Sequence, residues 1–282
     1  MNIIKNLNIQ LSNPETKDFL ADAYYPETET KLPLVIFVHG YKGYKDWGAW
    51  SLMAEKFAEA GFFFVKFNFS HNGTTLSNPT GFDDLEAFGN NNYSKELSDV
   101  DFVVNHFVKD PKVDDQKIIL IGHSRGGGIS IIKTCEDIRI NGLITLASVD
   151  HLERFPKEEA FENWKNEGVY YVENARTKQQ MPHFYQFYED FASDPHRFDV
   201  ERSMEMAKAH VLIVHGTSDE GVSMKNAEHL HILHPNSELF LIDNGNHVFG
   251  AKEPWEEKEL PEDLNTVVQK CITFINDKIV NT

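Results

Sequence analysis

Six nearly continuous apolar runs constrain this chain more than any other feature: Leu34–Val38, Phe62–Phe67, Ile118–Ile121, Leu143–Leu146, Val211–Val214 and Leu239–Ile242. A strand with one wetted face alternates apolar and polar residues, so an unbroken run belongs to a strand covered on both sides. The segments between the runs carry apolar residues three and four apart instead. Trp50, Met53, Ala54 and Phe57 form one such set, Leu97, Val100, Val104, Phe107 and Val108 a second, and Leu264, Val267, Val268, Cys271 and Ile275 a third. Each makes a single helical stripe. Buried strands alternating with amphipathic helices predict an α/β fold: a mostly parallel central sheet, helices on both faces and right-handed crossovers. Ahead of the first run, Leu7, Ile9 and Leu11 alternate with polar residues, and Phe19, Ala21, Ala23 and Tyr25 do so after an Asn13-Pro14 break. This period of two predicts an N-terminal antiparallel hairpin at the edge of the sheet.

The alternation of strand and helix breaks between residues 151 and 200, where no buried-strand run occurs. Eleven of the chain's 34 aromatic residues fall there, a density that no solvated linker would carry. The expected organisation is one α/β core, residues 1–150 and 201–282, with an inserted cap at 151–200. Trp164, Tyr171 and Phe184 are expected to face a substrate, and Arg176 to hold a substrate carboxylate through its planar guanidinium. Otherwise these aromatics anchor the cap, and Arg176 pins its loop.

Composition narrows the partners. With 27 Lys and Arg against 44 Asp and Glu, the net charge is −17, a field that repels phosphate backbones and anionic lipid surfaces. Neither nucleic acid nor a membrane is expected as a partner. The two cysteines, Cys135 and Cys271, make no disulfide framework or metal-binding pair. No cofactor or metal is expected, since the chain has no HExxH, no GxxxxGK[ST] and no GxGxxG in the right setting. Lys5 and Asn residues interrupt the apolar positions of Met1–Asn8, so no secretory leader is read there and a cytoplasmic location is expected.

The residues that carry chemistry come in order along the chain. Gly122-His123-Ser124-Arg125-Gly126 fits Gly-x-Ser-x-Gly directly after an apolar strand and before a helical segment. At such an elbow a serine is held in strained geometry with its hydroxyl exposed above the sheet edge, and the flanking glycines avoid collision with neighbouring elements. Val38-His39-Gly40-Tyr41 closes the first long strand, where the N–H of Tyr41 and that of Arg125 would form an oxyanion hole. His39 stands too early to be the base and is read as a loop-fixing residue. The base should follow the last strand, and Gly245-Asn246-His247 does so; His151 is the competitor near the expected site, while His229, His231 and His234 lie on a helical stretch. The orienting acid should follow the preceding strand, as Asp219 does in Gly216-Thr217-Ser218-Asp219. Asp243 and Glu220 are the alternatives, and Asp219 as a mere helix cap is the structural one.

On these ordered pieces the chain resembles the α/β-hydrolase family. Within it, the short N-terminal hairpin and a cap after the sixth sheet strand make it similar to small bacterial hydrolases related to dienelactone hydrolases and hydroxycinnamoyl esterases. Dienelactone hydrolases use a cysteine at the elbow, and dehalogenases and epoxide hydrolases an aspartate. Ser124 therefore implies ordinary carboxylic ester hydrolysis through an acyl-enzyme, with Ser124 as nucleophile, His247 as base and Asp219 orienting it. A thioesterase or small peptidase would use the same residues, and a non-catalytic small-molecule binder could share the fold.

Overall fold

The computed structural model describes residues 2–281, so Met1 and Thr282, the outer ends of the expected core segments, lie outside the described residues. Along the chain run the strands β1 (Ile3–Leu11), β2 (Phe19–Pro26), β3 (Leu32–Val38), β4 (Phe63–Phe67), β5 (Val113–His123), β6 (Ile140–Leu146), β7 (Val169–Glu173), β8 (Gln180–Phe184), β9 (His210–Gly216) and β10 (Glu238–Ile242). Eight of them form one sheet in the order β1-β2-β4-β3-β5-β6-β9-β10. From β4 to β10 every pairing is parallel, while β1 pairs with β2 and β2 with β4 antiparallel. The chain thus has the α/β-hydrolase fold, with an antiparallel hairpin at its N-terminal edge.

The unbroken apolar runs feed both faces. Leu34, Ile36 and Val38 of β3 point into one core layer with Leu97, Val100 and Val104 of the helix Tyr93–Phe107; Val35 and Phe37 point into the other with Trp50, Met53 and Phe57 of the helix Trp50–Glu59. Helices α1 (Trp50–Glu59) and α9 (Glu262–Ile275) cover that second face. The first face carries α3 (Tyr93–Phe107), α4 (Arg125–Glu136), α7 (Val200–Met206) and α8 (Met224–Leu233). A short α2 (Leu85–Gly89) precedes α3. One run departs from expectation: β10 is an edge strand, partly exposed with Leu241 open to solvent, because only β9 flanks it.

The chain leaves β3 for β4 on one side and then crosses to β5 on the other. The crossovers part at β3 and β5, and a crevice opens beyond their carboxyl ends, the usual ligand position in such sheets. His39-Gly40-Tyr41 and Ser124 are the residues that emerge there.

Between β6 and β9, the stretch expected to lack strands holds α5 (Glu158–Glu167), the separate antiparallel ribbon of β7 and β8, and α6 (Gln186–Ser193). These strands are five residues each, and β8 contains Pro182. A two-stranded ribbon has only edges, and edges are where proline is tolerated. Trp164 is 1% exposed and its indole N–H donates to the Pro-flanked carbonyl of His183 at 2.8 Å. Tyr170 and Tyr185 meet its ring edge-on. Most of the expected aromatic density therefore makes the insertion's own core, continuous with the first face of the sheet through Phe187 and Phe198.

A charged group is built into the antiparallel side of the sheet. Lys66 in β4 and Lys45 in the loop after β3 are both almost completely buried, and each pairs with both Asp22 of β2 and Asp46. Lys45 Nζ lies 2.9 Å from Asp22 and 2.6 Å from Asp46. Two cations against two anions leave no unbalanced charge, the condition under which buried ions are tolerated.

Candidate active site

Ser124 sits between β5 and α4 with φ +56° and ψ −122°, a left-handed conformation rare for a residue with a side chain. Its N–H donates to the Leu146 carbonyl at 2.9 Å, which ties the elbow to the end of β6. A Cβ on Gly122 would collide with the Gly126 carbonyl, and one on Gly126 with the carbonyls of Val38 and His39. The two glycines thus allow strand, elbow and the loop after β3 to pack together.

His247 follows β10 and reaches back to the elbow. Its Nε2 accepts from the Ser124 hydroxyl at 3.1 Å, and its Nδ1–H donates to Asp219 Oδ2 at 2.8 Å. Asp219, in the loop after β9, also accepts the N–H groups of Gly221 and Val222 at 2.8 and 2.9 Å, and His215 Nε2 lies 3.2 Å from its Oδ2. Burial works against its charge, but the bonds from His215, His247 and the Val222 amide outweigh it and hold its carboxyl below the usual carboxylate range. The following helix is capped by Ser223, whose side chain accepts from the Lys225 N–H, so Asp219 is not its cap. Asp243 is exposed and near Thr217, while His151 and His229 pair with Asp150 instead. The three residues picked for nucleophile, base and acid are therefore adjacent, and their competitors are engaged elsewhere.

Comparison with known proteins bears on the fold. None of the curated proteins compared with the chain matches it in sequence. Among solved structures, Est1E from Butyrivibrio proteoclasticus with ferulic acid bound is 20% identical at a TM-score of 0.75, covering 96% of this chain and 99% of its own. The esterase domain of a Rhodothermus marinus protein is 15% identical at 0.65, covering 98% and 99%. DcsB in complex with its substrate analogue is 15% identical at 0.74, covering 98% and 100%. The family model for the alpha/beta hydrolase fold matches residues 33–171, from β3 through the elbow into the insertion. The chain has the alpha/beta hydrolase fold.

In this α/β-hydrolase two cavities meet at Ser124. One, of about 380 Å³, lies under the insertion and is walled by Tyr41, Tyr93, Tyr170, His183 and Phe187. The other, of about 140 Å³, lies toward Trp47 and Trp50 beside Gly40 and His123. A larger cavity of about 560 Å³ opens at the amino ends of β6 and β9 near Ile138 and Met206, but no serine lines it.

The insertion residues chosen from sequence do not line the cavity under it. Tyr170 and Val172 do, whereas Tyr171, the residue between them on β7, points the other way and is 58% exposed. Strand alternation decides which is which, and the phase could not be read without knowing that β7 exists. Trp164 belongs to the insertion's core. Phe184 packs against Gly89, and Arg176, in the β7–β8 turn, reaches toward the Tyr44 hydroxyl at 3.5 Å.

Sequence reading also missed the Arg125 side chain. Its guanidinium stacks over Tyr41 at 4.4 Å and near Phe187 and Tyr93, and pairs with Glu96 of α3 at 3.3 Å. Burial pushes the Glu96 carboxyl up, against the pull of Arg125. Only the three-dimensional meeting of α3 and the elbow reveals this pair.

Two buried histidines brace the site in neutral form. His39 donates from Nδ1 to the Gly40 carbonyl at 2.9 Å and accepts the Phe69 N–H at Nε2. His123 donates from Nε2 to the His247 carbonyl at 2.9 Å, fixing the backbone of that histidine. Burial lowers His39 to about 4 and His123 to about 3. The unfolded chain binds protons at both positions below about pH 6.5, and the folded chain does not until pH falls further. Stability should therefore decline as pH drops from 6.5 toward 4, by about 1.4 kcal/mol per pH unit for each histidine. Urea midpoints at pH 7, 6 and 5 check this, and His39→Asn should flatten the slope if it folds; equal midpoints across the series would refute it.

Proposed function

We propose that this α/β-hydrolase cleaves carboxylic esters in two steps through an acyl-enzyme on Ser124. The observation that carries the reading is the continuous chain of hydrogen bonds from Ser124 Oγ through His247 to Asp219, placed at the meeting point of two cavities. In the first step Ser124 Oγ bonds to the acyl carbon while its proton passes to His247 Nε2. Asp219 stabilises the imidazolium, and the N–H groups of Tyr41 and Arg125 hold the oxygen that becomes negative. The carbon–oxygen bond to the alcohol then breaks, and His247 returns the proton to the leaving oxygen. Water repeats the sequence to release the acid and free Ser124.

Two cavities suit an ester, which presents two groups on either side of its carbonyl. The larger, with Tyr41, Tyr93, Tyr170 and Phe187 on its walls, suits a planar or aromatic group, and Est1E, a structural neighbour, holds ferulic acid. Aromatic faces gain about 25 cal/mol per Å² of apolar substrate surface covered.

A fluorophosphonate probe tests the reading directly. It should label the protein once, and the modified peptide should be the one containing Ser124. Labelling elsewhere would assign another nucleophile, and no labelling alongside no turnover of aryl esters would make the fold a binder.

A further inference from the structure

The cavity under the insertion has an electrostatic character that the chain as a whole does not. The protein carries −17, yet among the described residues no Asp or Glu lines this cavity, while two arginines do, Arg125 and Arg154. Arg125 is already committed, paired with Glu96 and stacked on Tyr41. Arg154 is exposed, and its guanidinium forms no ion pair among the described residues. Its backbone is nevertheless fixed. The Arg154 N–H donates to the Leu152 carbonyl at 2.8 Å, and the same carbonyl accepts the buried Tyr93 hydroxyl at 2.8 Å. A cation anchored by its main chain thus shares the lining of this cavity with Tyr41, Tyr93, Tyr170 and Phe187.

From this placement we infer that the substrate ester carries a carboxylate, held by Arg154 at the mouth of the cavity while the scissile carbonyl sits at Ser124. The inference rests on the ester-hydrolase reading above and names the class of ester. A lone guanidinium beside apolar walls favours an anion through charge-assisted hydrogen bonds that its planar fork can make in pairs. It also offsets, over a screening length of about 8 Å, the repulsion that so acidic a chain exerts on an anion. Arg176, the residue that sequence alone suggested for this task, reaches toward Tyr44 and does not line the cavity.

The carboxylate could belong to the acyl part or to the alcohol, and matched esters separate the two. For the acyl part, the aryl monoester of adipic acid with its second carboxyl free is compared with the same compound carrying a primary amide there. For the alcohol, the butyrate ester of 4-hydroxybenzoate is compared with that of 4-hydroxybenzamide. In one of the two pairs the full-length protein should show kcat/KM about threefold to fivefold higher for the carboxylate, the upper scale of an exposed charge pair. Arg154→Gln should bring that ratio to about one, Arg154→Glu should invert it, and raising salt from 20 to 500 mM, roughly a fivefold shorter screening length, should shrink it in the unaltered protein. A ratio of one or less in both pairs, or one that Arg154→Gln leaves standing, overturns the inference and leaves the hydrolase intact. Failure to turn over any of the four esters, with Ser124 unlabelled by the fluorophosphonate, removes the hydrolase reading and this inference with it.

Discussion

Ser124→Ala is expected to abolish turnover of a simple aryl ester, with kcat falling by about 10⁶ as in other enzymes whose serine, histidine and aspartate act as one unit. The fold should not notice the change. Among the described residues the only side-chain partner of the Ser124 hydroxyl is His247 Nε2, and alanine keeps the Cβ that already occupies the left-handed conformation at φ +56°. Removing the hydroxyl therefore removes the attacking atom while leaving the strain, the backbone bond to Leu146 and the packing of the flanking glycines as they were. The check is kcat on 4-nitrophenyl acetate beside a thermal unfolding curve. Residual activity near that of the unaltered protein, in a preparation free of other esterases, would show that a different group attacks.

Asp219→Asn should cost about 10⁴ in kcat with little change in KM. The carboxylate accepts the proton-bearing Nδ1 of His247, which leaves Nε2 free to accept from Ser124. An amide of the same shape can donate instead, and it then favours the tautomer with the hydrogen on Nε2, facing the serine it should deprotonate. The Gly221 and Val222 N–H groups donate to Oδ1, which asparagine keeps when its nitrogen takes the place of Oδ2, so the loss should be chemical and not structural. Asp243→Asn is the comparison. Asp243 is exposed and only 3.5 Å from Thr217 Oγ1, and its replacement should change kcat by less than about twofold, the scale of an ordinary surface substitution. The reverse ranking would move the orienting role to Asp243.

What could be read from the residues was whatever depends on order along the chain. Five of the six apolar runs mark strands buried on both faces, where there is no room for an ordinary polar position, and the sixth, β10, marks an edge strand. The three residues at the site stand at strand ends whose sequence is fixed by topology, so Ser124, Asp219 and His247 could be chosen without coordinates. The insertion was less legible for the same physical reason. Its strands are too short and too partly buried to produce a run, and without β7 the alternation that sends Tyr170 inward and Tyr171 outward has no starting point. Long-range pairs were invisible as well. Lys66 stands out inside the run Phe62–Phe67, but nothing near it names Asp22 or Asp46 as its partners. The Arg125–Glu96 pair is hidden in the same way, because α3 and the elbow are adjacent only in space.

The charged quartet of Asp22, Lys45, Asp46 and Lys66 constrains how this protein can change by descent. Asp22, Lys45 and Lys66 are almost completely buried while Asp46 is partly exposed; neutralising any of the three buried members leaves a buried charge unbalanced, at a cost of up to about 3–5 kcal/mol, while exchanging the group for well-packed apolar residues would be close to neutral. Single mutations must cross that barrier, so these positions are expected to change together. The block joins the hairpin side of the sheet to the loop after β3, the same loop that carries Tyr41 to the cavity at Ser124. Lineages can therefore remodel the insertion and with it the walls of the cavity at Ser124, while the hairpin edge and the loop beside Ser124 are expected to evolve together.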